Sequence, residues 1–165
     1  MNNKLTHLNE KGDANMVDVG DKIDTKRTAI ARGSIRMTKE TFETVEKGQT
    51  AKGDVIATAR IAGIMGAKKT SDLIPLCHPL MLTNMSIDIL ADVTLPGYHI
   101  TAEASLNGKT GVEMEALTAV SITCLTLYDM IKALDKSMII SDICLVEKQG
   151  GKSGFYIRGK DNGTS

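Results

Sequence analysis

The stretch Ile87-Asp88-Ile89-Leu90-Ala91-Asp92-Val93-Thr94-Leu95-Pro96-Gly97-Tyr98-His99-Ile100-Thr101-Ala102-Glu103-Ala104-Ser105-Leu106 decides the fold. Before Pro96-Gly97, Ile87, Ile89, Ala91 and Val93 alternate with Asp88 and Asp92. After it, Tyr98, Ile100, Ala102, Ala104 and Leu106 alternate with His99, Thr101, Glu103 and Ser105. A period of two marks a strand with one buried face, and Pro-Gly is a turn pair, so the segment predicts an antiparallel hairpin.

Upstream, residues 28–37 alternate as well. Ala29, Ala31, Gly33, Ile35 and Met37 face one way and Arg32, Ser34 and Arg36 the other, which predicts a strand. Thr38 is placed to cap a short helix carrying Phe42 and Val45 and ended by Gly48. Asp54 is placed to cap a helix over 55–67. That helix is apolar nearly all round and so expected to be deeply buried, with Gly63 and Gly66 letting another backbone approach. Downstream, a long helix is expected over 112–136, a last main strand over 138–148 and a short piece over 155–158. Strand, two helices, two strands, helix, strand approximates β-α-β-β-α-β. The expectation is an α+β, ferredoxin-like fold, an antiparallel sheet with helices packed on one face. One domain over 16–159 of the 165 residues is expected, between a flexible arm, 1–15, and a frayed tail, 160–165.

Composition excludes several functions. The chain has no Trp and 3% aromatic residues, too few for the stacking platforms that hold single-stranded nucleic acid. Twenty Lys and Arg against twenty Asp and Glu give no support to a general phosphate-backbone binder. No run of roughly 18 apolar residues is evident, and the polar start lacks a signal-peptide core, so neither membrane nor export is expected. Cys77, Cys124 and Cys144 are odd in number and far apart. They suggest a reduced, cytoplasmic setting, with Cys124 and Cys144 as core filler. No group of His, Cys or acids has metal-ligand spacing.

The zero net charge averages opposed segments. Residues 70–108 hold Asp72, Asp88, Asp92 and Glu103 with no Lys or Arg; residues 148–160 hold Lys148, Lys152, Arg158 and Lys160 with no acid. Lysine adjoins glycine in Lys52-Gly53, Gly108-Lys109-Thr110-Gly111 and Gly151-Lys152-Ser153-Gly154. Glycine lets backbone N–H groups reach an anion and lysine adds a point charge, a pattern suited to a phosphorylated small ligand. Neither Gly-Lys loop is a P-loop, because the required upstream glycine is replaced by Glu103 or Val146.

Asp129 and Lys132, three apart on the long helix, are neighbours at the end of an uncharged stretch from Ala116 to Tyr128. The pair is either a surface ion pair or an acid–base pair, with partial burial lowering the lysine pKa and the nearby carboxylate raising it. Glu115 lies within about 40° of Asp129 around the helix but about 21 Å away along it, so if both are functional a second subunit is expected to supply one of them. His78 is pinned between Pro75 and Pro79, either as a structural imidazole bonded to backbone or as a ligand contact. His7 and His99 read as bland.

Several strings together resemble the molybdenum-cofactor biosynthesis protein C family, the cyclic pyranopterin monophosphate synthases. They are Met16-Val17-Asp18-Val19, KGDVIATARIAGIMGAKKTSDLIPLCHPL (52–80), GKTGVEMEALTAVS (108–121), Leu127-Tyr128-Asp129-Met130 with Lys132, and GGKSG (150–154). The resemblance implies conversion of (8S)-3′,8-cyclo-7,8-dihydroguanosine 5′-triphosphate to cyclic pyranopterin monophosphate with release of pyrophosphate. It implies Asp129, Lys132 and Lys52 as catalytic residues and Leu76, Cys77, His78, Met114 and Glu115 as substrate-binding residues. Arg27, Lys68 and Lys148 would hold the triphosphate. It also implies a homohexamer, a trimer of dimers with sites at interfaces. No cofactor is called for, and Mg²⁺ arriving on the triphosphate would need few protein ligands. The alternative is a non-catalytic nucleotide-sensing module on the same fold.

Overall fold

A computed structural model describes Leu8 and residues 11–159. Most of the expected arm, His7 included, and the expected tail lie outside the described residues. The elements are β1 (Thr25–Arg36), α1 (Lys39–Glu46), α2 (Val55–Lys68), α3 (Thr70–Leu73), β2 (Asn84–Asp92), β3 (Gly97–Gly108), α4 (Glu113–Ile131), β4 (Ile139–Gln149) and β5 (Tyr156–Ile157). The sheet order is β2-β3-β1-β4-β5, and every neighbouring pair is antiparallel. The first four strands therefore have the α+β, ferredoxin-like arrangement, and the hairpin about Pro96-Gly97 is its edge.

Alternation sets the faces. Ala29, Ala31 and Ile35 of β1 meet Ile100, Ala102 and Ala104 of β3 in a buried layer, closed by Ala116, Ala119, Val120, Cys124 and Leu127 of α4. The two capping residues act as expected: Thr38 Oγ1 accepts from the Thr41 N–H and Asp54 Oδ1 from the Ala57 N–H, each supplying an orphan amide. β4 does not alternate cleanly. Its pairing with β1 slips twice, and Asp142 takes φ 58° within the irregularity. Cys144 is consequently only half-buried, opposite Arg32, rather than core filler, whereas Cys124 is fully buried.

Three further expectations need correction. α2 is not buried all round: Ala59, Gly63, Gly66 and Ala67 are buried, but Ile61 and Met65 are more than half exposed. The reason is its stripe of small residues, which brings α2 against α4. A Cβ on Gly63 would strike the side chains of Thr123 and Ile87, and one on Gly66 would lie 2.7 Å from Ile122 Cγ1. The larger side chains are thereby turned outward. α4 stops at Ile131, not near 136, because Asp135 offers the chain a different set of bonds. Its carboxylate accepts from the N–H groups of Ser137 and Thr38, drawing the segment toward the start of α1. Finally, α4 does reach the length and mean hydropathy, 1.3, of a membrane span. Its apolar content is explained by the face it packs against the sheet and α2.

Candidate active site

The implied residues fall into two groups at opposite ends of α4. The first surrounds a cavity of about 280 Å³ at the helix N-terminus, lined by Leu76, Cys77, His78, Met114 and Glu115. The loop reaches it because α3 ends at Leu73 and the chain, rather than running extended, turns about Pro75, the Cys77 N–H donating to the Ile74 carbonyl at 3.1 Å. Met114 and Glu115 reach it from the first turn of α4.

Glu115 is only 4% exposed. Burial pushes its carboxyl up to about 7; its own backbone N–H opposes the shift and neighbouring Glu113 adds to it. Near neutral pH it can therefore give or take a proton, as a group poised for acid–base work must. Burial, then Glu115, also raises the Cys77 thiol, so Cys77 meets a ligand as a neutral thiol. The raised Glu115 pKa has a stability consequence. The folded state holds this proton more tightly than the unfolded chain, so the contribution is complete below about pH 4.5 and is lost as pH rises through about 7. Glu115→Gln should remove that loss. Between pH 5 and 8, unfolding free energies from urea titrations should show the variant gaining on the parent by about 2–3 kcal/mol.

None of the triphosphate candidates is in the wall of this cavity, though Lys148 and Arg27 bond to residues in it or next to it. Lys148 Nζ donates to Glu113 Oε1 at 2.9 Å and to Ser153 Oγ at 3.1 Å, tying the helix start to the Gly-Lys loop after β4. Arg27 spends its guanidinium on backbone, donating from Nε and Nη2 to the carbonyls of Gly108 and Lys109, both at 3.2 Å. Lys68 ends α2, exposed. Residue patterns alone missed Glu113 as the Lys148 partner and Val17, Val19 and Lys22 as cavity wall. The string beginning at Met16 was the available signal.

The second group is at the C-terminal end of α4. Lys132 Nζ lies 2.6 Å from Asp129 Oδ1 and Lys52 Nζ 3.3 Å from Oδ2, so two ammonium groups bracket one carboxylate. Lys52 also donates to the Asp129 carbonyl at 2.9 Å, satisfying a helix-end acceptor. The hydrogen bonds from Lys132, then Lys52, hold the Asp129 carboxyl below its usual range, and Asp129 in turn raises Lys132. Of the two opposed influences on Lys132, the carboxylate prevails over burial, because the side chain is exposed at the helix cap and keeps its counter-ion. In the single chain the group is a protonated donor beside an ionised acceptor. The two groups stand about 21 Å apart along the helix.

A model of the MoaC family matches residues 16–151. The chain belongs to that family. It is 60% identical, over 94% of both chains, to proteins named cyclic pyranopterin monophosphate synthase in Brucella ovis, Brucella melitensis and Brucella abortus. The matched region takes in both ends of α4, the cavity loop and the strand that carries Lys148.

Proposed function

We infer that this chain is a cyclic pyranopterin monophosphate synthase. It is a lyase of molybdenum-cofactor biosynthesis that converts (8S)-3′,8-cyclo-7,8-dihydroguanosine 5′-triphosphate to cyclic pyranopterin monophosphate and pyrophosphate. The observation that carries this is 60% identity across nearly the whole of proteins named for that activity. The chemistry suits the groups present. Rearranging the purine-derived ring moves protons on and off nitrogen and oxygen, work for Asp129, Lys132 and Lys52. Closing the cyclic phosphate puts a sugar hydroxyl onto the α-phosphorus while pyrophosphate leaves, and nearby lysines stabilise the charge that builds on it. Met114, Glu115 and the loop 76–78 would hold the base end, with Lys68 and Lys148 nearest the phosphates. Arg27 would act by fixing the Gly108–Lys109 backbone.

Because the two groups are about 21 Å apart in one chain, a complete site takes one group from each of two subunits. A homohexamer built as a trimer of dimers satisfies this. We take the enzyme to be cytoplasmic, consistent with three free thiols. No resident cofactor is needed, and Mg²⁺ would come with the triphosphate as part of the substrate. Mixing the protein with the cyclised triphosphate should release one pyrophosphate per substrate consumed. Binding without release would instead identify a sensor.

A further inference from the structure

The two Gly-Lys loops, 108–111 and 150–154, are far apart in sequence and meet on one side chain. Arg27 donates from Nε and Nη2 to the carbonyls of Gly108 and Lys109. Its guanidinium also packs against Gly151, where a Cβ would collide with Nη1. Gly151 takes φ 74°, a left-handed conformation that suits glycine, and its carbonyl accepts from the Gly154 N–H at 3.1 Å. Residues 151–154 thus close a turn with Lys152 and Ser153 at its corners. The turn carries Ser153 back to Lys148, near the end of β4. The bonds formed there leave a defined remainder. An ammonium has three hydrogens to donate and accepts none. Lys148 gives one to Glu113 Oε1 and one to Ser153 Oγ, so a third is left. Ser153 is the acceptor in its bond, its own hydroxyl hydrogen has no acceptor among the described residues, and its side chain is exposed. Glu113 lines the substrate cavity, and Lys148 offsets its charge. An anion arriving along that wall meets an ammonium N–H and a hydroxyl O–H, their heavy atoms 3.1 Å apart. Two such donors can reach the oxygens of one phosphoryl group, and the exposed Lys152 beside them adds a second positive charge.

We propose that Ser153 is a substrate-binding residue whose hydroxyl donates to the terminal phosphates, the pair that leaves as pyrophosphate, beside the Lys148 ammonium. That these phosphates belong to a cyclised nucleoside triphosphate rests on the synthase reading; that the site takes a pyrophosphate group does not. The test is isothermal titration of the full-length protein with inorganic pyrophosphate alone. Ser153→Ala should weaken pyrophosphate binding about tenfold, the effect of one lost hydrogen bond to a charged group. Ser153→Thr, which keeps the hydroxyl, should stay close to the parent. Affinity for cyclic pyranopterin monophosphate, which lacks those phosphates, should be unchanged in both variants. In turnover, Ser153→Ala should lose the same factor in kcat/KM for the cyclised triphosphate. Urea unfolding should match the parent, because Lys148 keeps its bond to Glu113 and the turn keeps its backbone bond. Pyrophosphate held as tightly by Ser153→Ala as by the parent overturns the proposal, as does a parent that binds no pyrophosphate. So does an equal loss of affinity for the pterin product, since Ser153 would then brace the whole site. Ser153→Thr as weak as Ser153→Ala would place the effect in the turn rather than the hydroxyl, and overturns it too. If the parent releases no pyrophosphate from the cyclised triphosphate, the synthase reading fails, and the titration with pyrophosphate alone still decides the contact.

Discussion

Lys132→Ala should cut pyrophosphate release by about 10²–10⁴-fold, the range a positioned acid or base supplies, while the substrate still binds. The expectation comes from the protonation states in the second group. Asp129 is held ionised by two ammonium groups, and Lys132 is held protonated by that carboxylate. Lys132 would therefore meet substrate as a proton donor, with the ionised Asp129 carboxylate orienting its ammonium group and the spent proton replaced from solvent. Folding should be unaffected. Lys132 is exposed, its backbone N–H still reaches the Tyr128 carbonyl at 2.8 Å, and Lys52 keeps its own contact with Asp129. Lys132→Arg separates two explanations of the loss. Arginine retains the charge and can pair with Asp129, but at working pH it does not give up its proton. If Lys132 works only as a charge, the arginine variant should recover most of the rate; if it transfers a proton, it should not. Binding is read by isothermal titration with the intact substrate, and chemistry by single-turnover pyrophosphate release. A single-turnover rate for Lys132→Ala close to that of the parent would remove the residue from the mechanism.

The hairpin, the β1 alternation and both helix caps were legible in the sequence because each is a local rule with one dominant cause. What escaped was decided by contacts between distant residues. The end of α4 depends on a bond from the Thr38 amide to Asp135, 97 positions away. The exposure of Ile61 and Met65 depends on where Gly63 and Gly66 meet α4, which the apolar content of α2 does not reveal. The site divides in the same way. The Asp129–Lys132 pair follows from helical spacing, and His78 between two prolines was open to a backbone role, which its bond to the Val17 carbonyl fulfils. Lys52 reaches Asp129 across 77 positions, and no periodicity shows that; only the family resemblance pointed there. The electrostatics were least legible: sequence left burial and the carboxylate opposed at Lys132, which exposure decides for the carboxylate, and it gave no sign that burial raises Glu115.

Two inactive variants should restore each other. Lys132→Ala damages the C-terminal group of α4, and Glu115→Ala damages the cavity at its N-terminal end. If each site combines the cavity of one subunit with the lysine–aspartate group of its neighbour, a mixed dimer contains one doubly damaged site and one intact site. In a double-tagged hexamer of three randomly paired dimers about half of the dimers are mixed, so about a quarter of the parental sites should reappear; if double-tagged dimers are the species purified, about half should. The experiment is to co-express the two variants with different affinity tags and purify over both. Pyrophosphate release is then compared with each variant alone and with Lys132→Ala carrying both tags. The recovered activity should have the parental KM, because the restored site has no altered residue. Failure to recover in verified mixed oligomers would mean that one chain builds its whole site, and α4 would then have to present both ends to one substrate. Nothing in the single chain shortens that path: Glu115 and Asp129 are fixed on the same continuous helix, Glu113–Ile131, and no bend in a ligand changes their separation. In the proposed two-subunit site, the length of the helix that closes the core is what would leave each half to be completed by a second copy.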